Sequence, residues 1–71
     1  MIYDYSKLLG RIKECAFTQE TLAKAIKMSE STLNLKLNNK AFFKQQEIRK
    51  IRKVLGIRLE EVGIYFFTEK V

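Results

Sequence analysis

The chain has 71 residues, which fits one small hydrophobic core and excludes a second domain of ordinary size. Hydrophobic residues make up 46% of the sequence and charged residues 31%, a composition that indicates a soluble globular domain and excludes a disordered or fibrous chain. With no histidine and a single cysteine, Cys15, the sequence lacks the common zinc sites, an internal disulfide and nucleophile–imidazole pairs. We therefore expect no enzyme, no metal site and no cofactor.

The sequence gives no sign of membrane contact. No apolar stretch approaches the roughly 18 residues of a spanning helix, and the first residues have neither the basic start nor the apolar run of a signal peptide. We expect a cytoplasmic protein.

The net charge of +6 is concentrated in the middle of the chain. From Lys24 to Arg58, ten Lys or Arg stand against two Glu, whereas the preceding segment is neutral and the following one carries −2. Such a basic segment is typical of a surface that binds a polyanion, because it attracts phosphate over about 10 Å. Solvated helix faces are the alternative explanation.

Apolar periodicity predicts three short helices in the first half of the chain. The first has an apolar face from Tyr5 to Ala16 and Asp4 as its cap. Thr18 can cap a second helix over residues 19–26, and Ser29 a third that ends before the turn-forming residues 38–40. A loop then carries Phe42 and Phe43, one of which we expect to pack beneath it.

Two further helices are predicted in the second half. Ile48, Ile51 and Leu55 form the apolar face of a strongly amphipathic fourth helix, which Gly56 ends. In the fifth helix, Leu59, Val62 and Phe66 are expected to point inward. The fold class predicted is all-α, a single domain of five short helices.

The fifth helix leaves three apolar residues without an assigned place in the core. Ile64, Tyr65 and Phe67 lie off its inward stripe. One interpretation makes them, with the tail 64–71, a contact with a second copy or a partner protein, because exposed apolar patches often mark interfaces. A role in the core is the other.

The second and third helices have the spacing of a helix-turn-helix, over about residues 18–38. Leu22, Ile26 and Leu33 supply a joint core, and the small Ala23 allows the two helices to approach closely. The third helix then presents short polar side chains outward, which suit the edges of bases in a major groove about 12 Å wide.

On these residues the sequence resembles the phage repressor and Cro (Xre-type) family. The resemblance runs from Thr18 to Leu33, and continues in the Asn38–Lys40 loop and the apolar positions of the fourth helix. It implies the lambda-repressor-like fold over nearly the whole chain. Two residues depart from the family pattern, Lys27 in the turn and Asn39 after the third helix, where glycine is usual. Both positions are expected to have positive φ, at a cost of about 1 to 2 kcal/mol for Lys27.

The resemblance also implies DNA contacts made by the recognition helix 30–38. The residues that would face bases are Glu30, Ser31, Asn34 and Leu35. The residues that would contact the phosphate backbone are Gln19, Ser29, Thr32, Lys36, Asn38 and Lys40. A partner of the helix dipole is the alternative role for Glu30, and surface or minor core packing is the alternative for Leu35.

The function predicted is that of a Cro-like repressor in a phage or prophage genetic switch, which occupies double-stranded operator DNA. The short chain leaves no room for the oligomerisation domain of longer repressors, and the natural expectation is a homodimer, at least on DNA. The alternative is an antirepressor or modulator that acts by binding a phage repressor protein. Glu30 at a base-reading position, Lys27 in the turn and the apolar tail favour this alternative.

Overall fold

Five α-helices follow one another in the computed structural model, which describes residues 2–70. They are α1 (Ser6–Glu14), α2 (Gln19–Ala25), α3 (Glu30–Leu37), α4 (Gln45–Leu55) and α5 (Val62–Phe66), with a single 3-10 turn at Leu59–Glu61 before α5. No strand forms within residues 2–70, although Tyr3 and Glu69 make an isolated antiparallel bridge. The predicted all-α fold of five short helices is confirmed.

The caps predicted for α2 and α3 are present. The hydroxyl of Thr18 accepts a hydrogen bond from the backbone N–H of Thr21, and the Thr21 hydroxyl accepts one from the backbone of Thr18. Ser29 accepts from the backbone N–H of Thr32. Each cap satisfies a donor that the first turn of a helix leaves free, so it fixes where the helix begins.

The start of α1 differs from the prediction. Tyr5 is the residue before the helix, and the Asp4 carboxylate accepts from the backbone N–H of Ser6 at 2.9 Å. The backbone and side-chain hydrogen bonds from Ser6 lower the pKa of Asp4 below its ordinary value. Asp4 therefore holds the entry to α1 without being its cap.

One hydrophobic core contains residues from all five helices. Its most completely buried side chains are Leu8, Leu22, Leu33, Ile51, Leu55 and Phe66. Phe43 packs edge-on between Tyr5 and Phe66, whereas Phe42 is exposed. As expected, one of the two adjacent phenylalanines holds the loop before α4 against the core.

The two ends of the chain lie side by side. The N–H of Asp4 donates to the carbonyl of Thr68, and the N–H of Lys70 donates to the carbonyl of Ile2. The side chain of Asn39 accepts from the Tyr3 N–H at 2.9 Å and donates to the Tyr3 carbonyl at 3.0 Å. The segment before α1 is therefore fixed by both the C-terminal segment and the loop after α3.

The prediction for the last helix was wrong at Leu59, which points into solvent. The chain leaves α4 at Gly56 (φ 66°), buries Ile57, and enters a 3-10 turn. A 3-10 helix has three residues per turn instead of 3.6. The spacing that would place Leu59 on the apolar face of a continuous α-helix therefore does not hold in this turn. Val62 is half-buried and Phe66 is buried, as expected.

Lys27 and Asn39 have the positive φ values expected of them, 58° and 62°, and Ala16 adds a third, at 61°, that the sequence pattern did not indicate. A side chain in the left-handed region costs about 1 to 2 kcal/mol, least for Asn. The turn between α2 and α3 therefore contains local strain at Lys27.

We expect Lys27→Gly to raise the free energy of unfolding by about 0.5 to 1 kcal/mol, because relief of this strain exceeds the entropy that glycine adds to the unfolded chain. Lys24→Gly is the matched control, since it removes the same charge from an exposed position inside α2. It should lower the free energy of unfolding by about 1 kcal/mol. Urea denaturation measures both, and a loss of stability in Lys27→Gly would contradict the prediction.

Candidate interaction surface

The four residues expected to read bases lie together on the outer face of α3. Glu30, Ser31, Asn34 and Leu35 are exposed and line a shallow depression of about 450 Å³. Their grouping follows from helical spacing, because residues three and four apart share a face. The face combines one carboxylate, two small polar groups and an apolar side chain that is 48% exposed.

Hydrogen bonds hold several of the side chains on and beside this face. The Asn34 amide donates to the Gln19 side chain at 3.1 Å, which joins α3 to the start of α2. Asn38 donates to the Asn34 carbonyl at 2.8 Å, and the Ser29 hydroxyl donates to the Thr32 hydroxyl at 2.7 Å. Of the residues expected to contact phosphate, Lys40 extends into solvent from the loop after α3.

Lys36 does not lie where the resemblance placed it. Its side chain is buried and forms an ion pair with Glu47 of α4, so it is not presented as a phosphate contact. Lys36 is the only cation of α3, a helix that the structure describes in full. The outer face of α3 therefore has Glu30 as its charged group and no cation of its own.

The carboxylate of Glu47 is held by two donors. The Lys36 ammonium contacts the same oxygen to which the backbone N–H of Lys44 donates at 2.7 Å. Burial alone would raise the pKa of Glu47, but these hydrogen bonds and the charges of Lys36 and Lys44 outweigh burial and lower the pKa. Glu47 thus stays ionised where it both pairs with Lys36 and satisfies the start of α4.

The apolar residues near the C-terminus divide between surface and core. Ile64 and Phe67 are exposed, whereas Tyr65 is half-buried and packs against the core. Val71, the last residue of the predicted contact tail, lies outside the described residues. Tyr65 thus contributes to the core, whereas Ile64 and Phe67 are at the surface, where their role in a contact stays a prediction.

Sequence reasoning missed the groove in which Phe67 lies. The groove has a volume of about 380 Å³ and runs between α4 and the C-terminal segment. It is lined by Gln45, Ile48, Arg49, Arg52, Lys53, Leu59, Val62 and Phe67, the set that we call the α4 groove. Leu59 lines this groove instead of packing in the core, and helical periodicity could not indicate that placement.

Among residues 2–70, no three His, Cys, Asp or Glu side chains converge as a metal site would require. Over the same residues, no helix is long and apolar enough to cross a membrane.

The ion pair between Lys36 and Glu47 is expected to affect the free energy of unfolding. Glu47→Gln should lower the free energy of unfolding at neutral pH by about 3 kcal/mol, because it leaves the buried Lys36 ammonium without a carboxylate. The double variant Lys36→Met, Glu47→Gln should recover most of this loss, since methionine fills the space of the lysine stem without its charge. Urea denaturation of the three proteins measures both effects.

The same pair has a defined pH dependence. Because the pKa of Glu47 is lowered in the folded state, its contribution is fully present above the ordinary value of 4.5 and is lost as the pH falls through the folded value. The stability difference between wild type and Glu47→Gln should therefore shrink in acid. A difference that stays constant as the pH is lowered from neutral into the acid range would contradict this prediction.

Comparison with known proteins assigns the chain to a family other than that of the repressors. Among solved structures it is similar to the modulator of repression (MOR) of the temperate bacteriophage TP901-1 from Lactococcus lactis. The two are 46% identical, the match covers 100% of this chain and 96% of that chain, and the TM-score is 0.82. No curated protein matches the chain.

These findings correct the resemblance to the repressor and Cro family. The family model that matches residues 1–69 is a different one, and the 46% identical protein is named a modulator of repression, not a repressor. The predictions of Xre-type membership and of a Cro-like DNA-binding repressor are therefore wrong. Because the matching family model spans almost the whole chain, the protein belongs to the family described as protein of unknown function (DUF739).

Proposed function

We propose that the protein is a modulator of a phage repressor and acts by binding the repressor protein. The observation that carries this proposal is the 46% identity, over the full length of the chain, to a phage modulator of repression. This function is the alternative that the sequence left open. It implies action in the bacterial cytoplasm, where a phage repressor meets its DNA.

The charge on α3 supports a protein partner. A helix that enters the major groove needs cations near the phosphates, which supply much of the affinity for DNA. The one lysine of α3 is buried against Glu47, and the outer face carries Glu30. A carboxylate facing the phosphate backbone without a neighbouring cation on its helix opposes binding.

The exposed apolar residues support the same proposal. Leu59, Ile64 and Phe67 all belong to the C-terminal part of the chain and are each about half exposed or more. Burying a side chain of this kind contributes about 1.5 to 3 kcal/mol, so a protein surface that covered them would gain affinity. Ile64 and Phe67 are two of the residues expected in a dimer or partner contact, and we propose that they contact the repressor.

The proposed role is regulatory and non-catalytic, and it works through coupled equilibria. If the modulator changes the affinity of the repressor for its operator by some factor, the operator changes the affinity of the repressor for the modulator by the same factor. No chemistry is required of the modulator for this effect. What it requires is a surface that binds the free and the operator-bound repressor with different affinities.

The test uses the chain and the repressor encoded in the same phage or prophage genome. Mixed at tens of micromolar, the two should elute as one complex of defined mass in size-exclusion chromatography with light scattering. In an operator titration, the chain should change the dissociation constant of the repressor severalfold, and operator DNA should change the repressor–chain affinity by the same factor.

The chain alone is the control in both measurements. Its mass at the same concentration tests the expected homodimer directly. Separate elution of the two proteins, together with an operator affinity of the repressor that the chain leaves unchanged, would refute the proposal. Tight binding of the chain alone to one operator duplex over a scrambled duplex would refute it as well.

A further inference from the structure

We propose that the α4 groove binds an acidic amphipathic helix of the repressor, an inference that rests on the proposed function and assigns its contact surface. The groove combines an apolar floor, which includes an aromatic ring packed within the fold, and a basic rim. Each of these features restricts the chemistry of the occupant.

The floor of the groove is apolar and open. Leu59 is 72% exposed and Phe67 51% exposed, while Ile48 and Val62, which also line the groove, are half-buried. Leu59 and Phe67 are thus placed to bury more apolar surface than the folded chain alone covers. The occupant must therefore present apolar side chains of its own.

The ring of Phe67, which is part of this floor, already packs against other residues of the folded chain. It packs edge-on against Tyr3, with ring centroids 5.8 Å apart. Tyr3 is in turn held by two hydrogen bonds to Asn39, and the backbone of Thr68 accepts from Asp4 at 2.7 Å. A preformed contact surface loses little conformational entropy on binding, which favours affinity.

The rim of the groove is basic. Arg49 and Lys53 are exposed on neighbouring turns of α4. Arg52, between them in sequence, is half-buried and donates a hydrogen bond from its guanidinium group to the carbonyl of Ile57. None of the residues that line the groove is acidic. The occupant should therefore carry carboxylates beside its apolar stripe, because only complementary charge steers it onto this rim.

The groove follows α4 over more than two helical turns. The lining residues from Gln45 to Lys53 span about 12 Å along the helix axis at 1.5 Å per residue. A partner helix of similar length can present apolar residues at positions i, i+3, i+4 and i+7 to such a floor. This spacing leaves its flanking positions free for the carboxylates that face Arg49 and Lys53.

A second copy of the chain fits the groove poorly. Each copy carries a net charge of +6, and a symmetric contact through this face would bring two basic rims together. The repulsion between like charges opposes that contact. The charge of the groove therefore favours a different, acidic partner.

The first experiment changes the apolar floor. The repressor from the same genome is titrated against labelled chain, and Leu59→Ser and Phe67→Ser should each weaken binding about tenfold or more, because each removes an apolar contact. Phe42→Ser is the matched control, since Phe42 is 73% exposed but does not line the groove. It should stay within about twofold of wild type.

The second experiment reverses the charge of the rim. Arg49→Glu combined with Lys53→Glu should weaken binding about tenfold or more and reduce its dependence on salt, because screening acts on the charges that have been removed. Lys50→Glu is the control on the same helix, exposed but outside the groove. It should change binding several times less than the double variant.

The outcomes separate this inference from the function on which it rests. If wild type binds the repressor and the floor and rim variants bind equally well, the groove assignment is overturned and the proposed function stands. An equal loss in Phe42→Ser would also overturn the assignment. If wild type does not bind, the proposed function fails first. Self-association of the chain that Leu59→Ser abolishes would make a second copy the occupant and overturn the acidic partner.

Discussion

The ion pair between Lys36 and Glu47 connects α3 to α4, and it affects both the outer face of α3 and the α4 groove. An ammonium group withdrawn from water is costly unless a carboxylate meets it, so Lys36 specifies where Glu47 must be. Successive residues of a helix are about 100° apart, which places Arg49 about 200° from Glu47 around α4. With the carboxylate turned toward α3, the side chains of Arg49, Arg52 and Lys53 are turned toward the groove.

A chain of aromatic contacts connects the core to the surface. Phe66 contacts Phe43, which contacts Tyr5; Tyr5 contacts Tyr3, and Tyr3 contacts Phe67. Asn39, in the left-handed conformation, holds Tyr3 by two hydrogen bonds. The exposed ring of Phe67 is therefore connected to the buried core through this series of ring contacts.

Local chemistry made much of the fold predictable. A hydroxyl at Thr18 or Ser29 satisfies its own helix, and Gly56 ends α4 through its own backbone, so neighbouring residues suffice to indicate them. Lys36 could not be placed in this way, because its partner lies in another helix. Tyr3 and Asn39 are 36 positions apart, and Leu59 turns outward because of a 3-10 turn. The candidate groove depends on these distant contacts, whereas the helix-turn-helix spacing that suggested a repressor describes a fold that different functions share.

A modulator of this kind needs only moderate affinity. When it binds the free repressor alone, the apparent operator affinity falls in proportion to one plus the ratio of free modulator to its dissociation constant. A hundredfold excess over that constant shifts the equilibrium by about 2.7 kcal/mol, enough to change operator occupancy decisively. The proposed contact would use two exposed apolar residues, Leu59 and Phe67, and two exposed cations, Arg49 and Lys53, whose charges salt partly screens. The small size of the groove thus suits the regulation of a switch, because a complex that did not dissociate would keep the switch in one state.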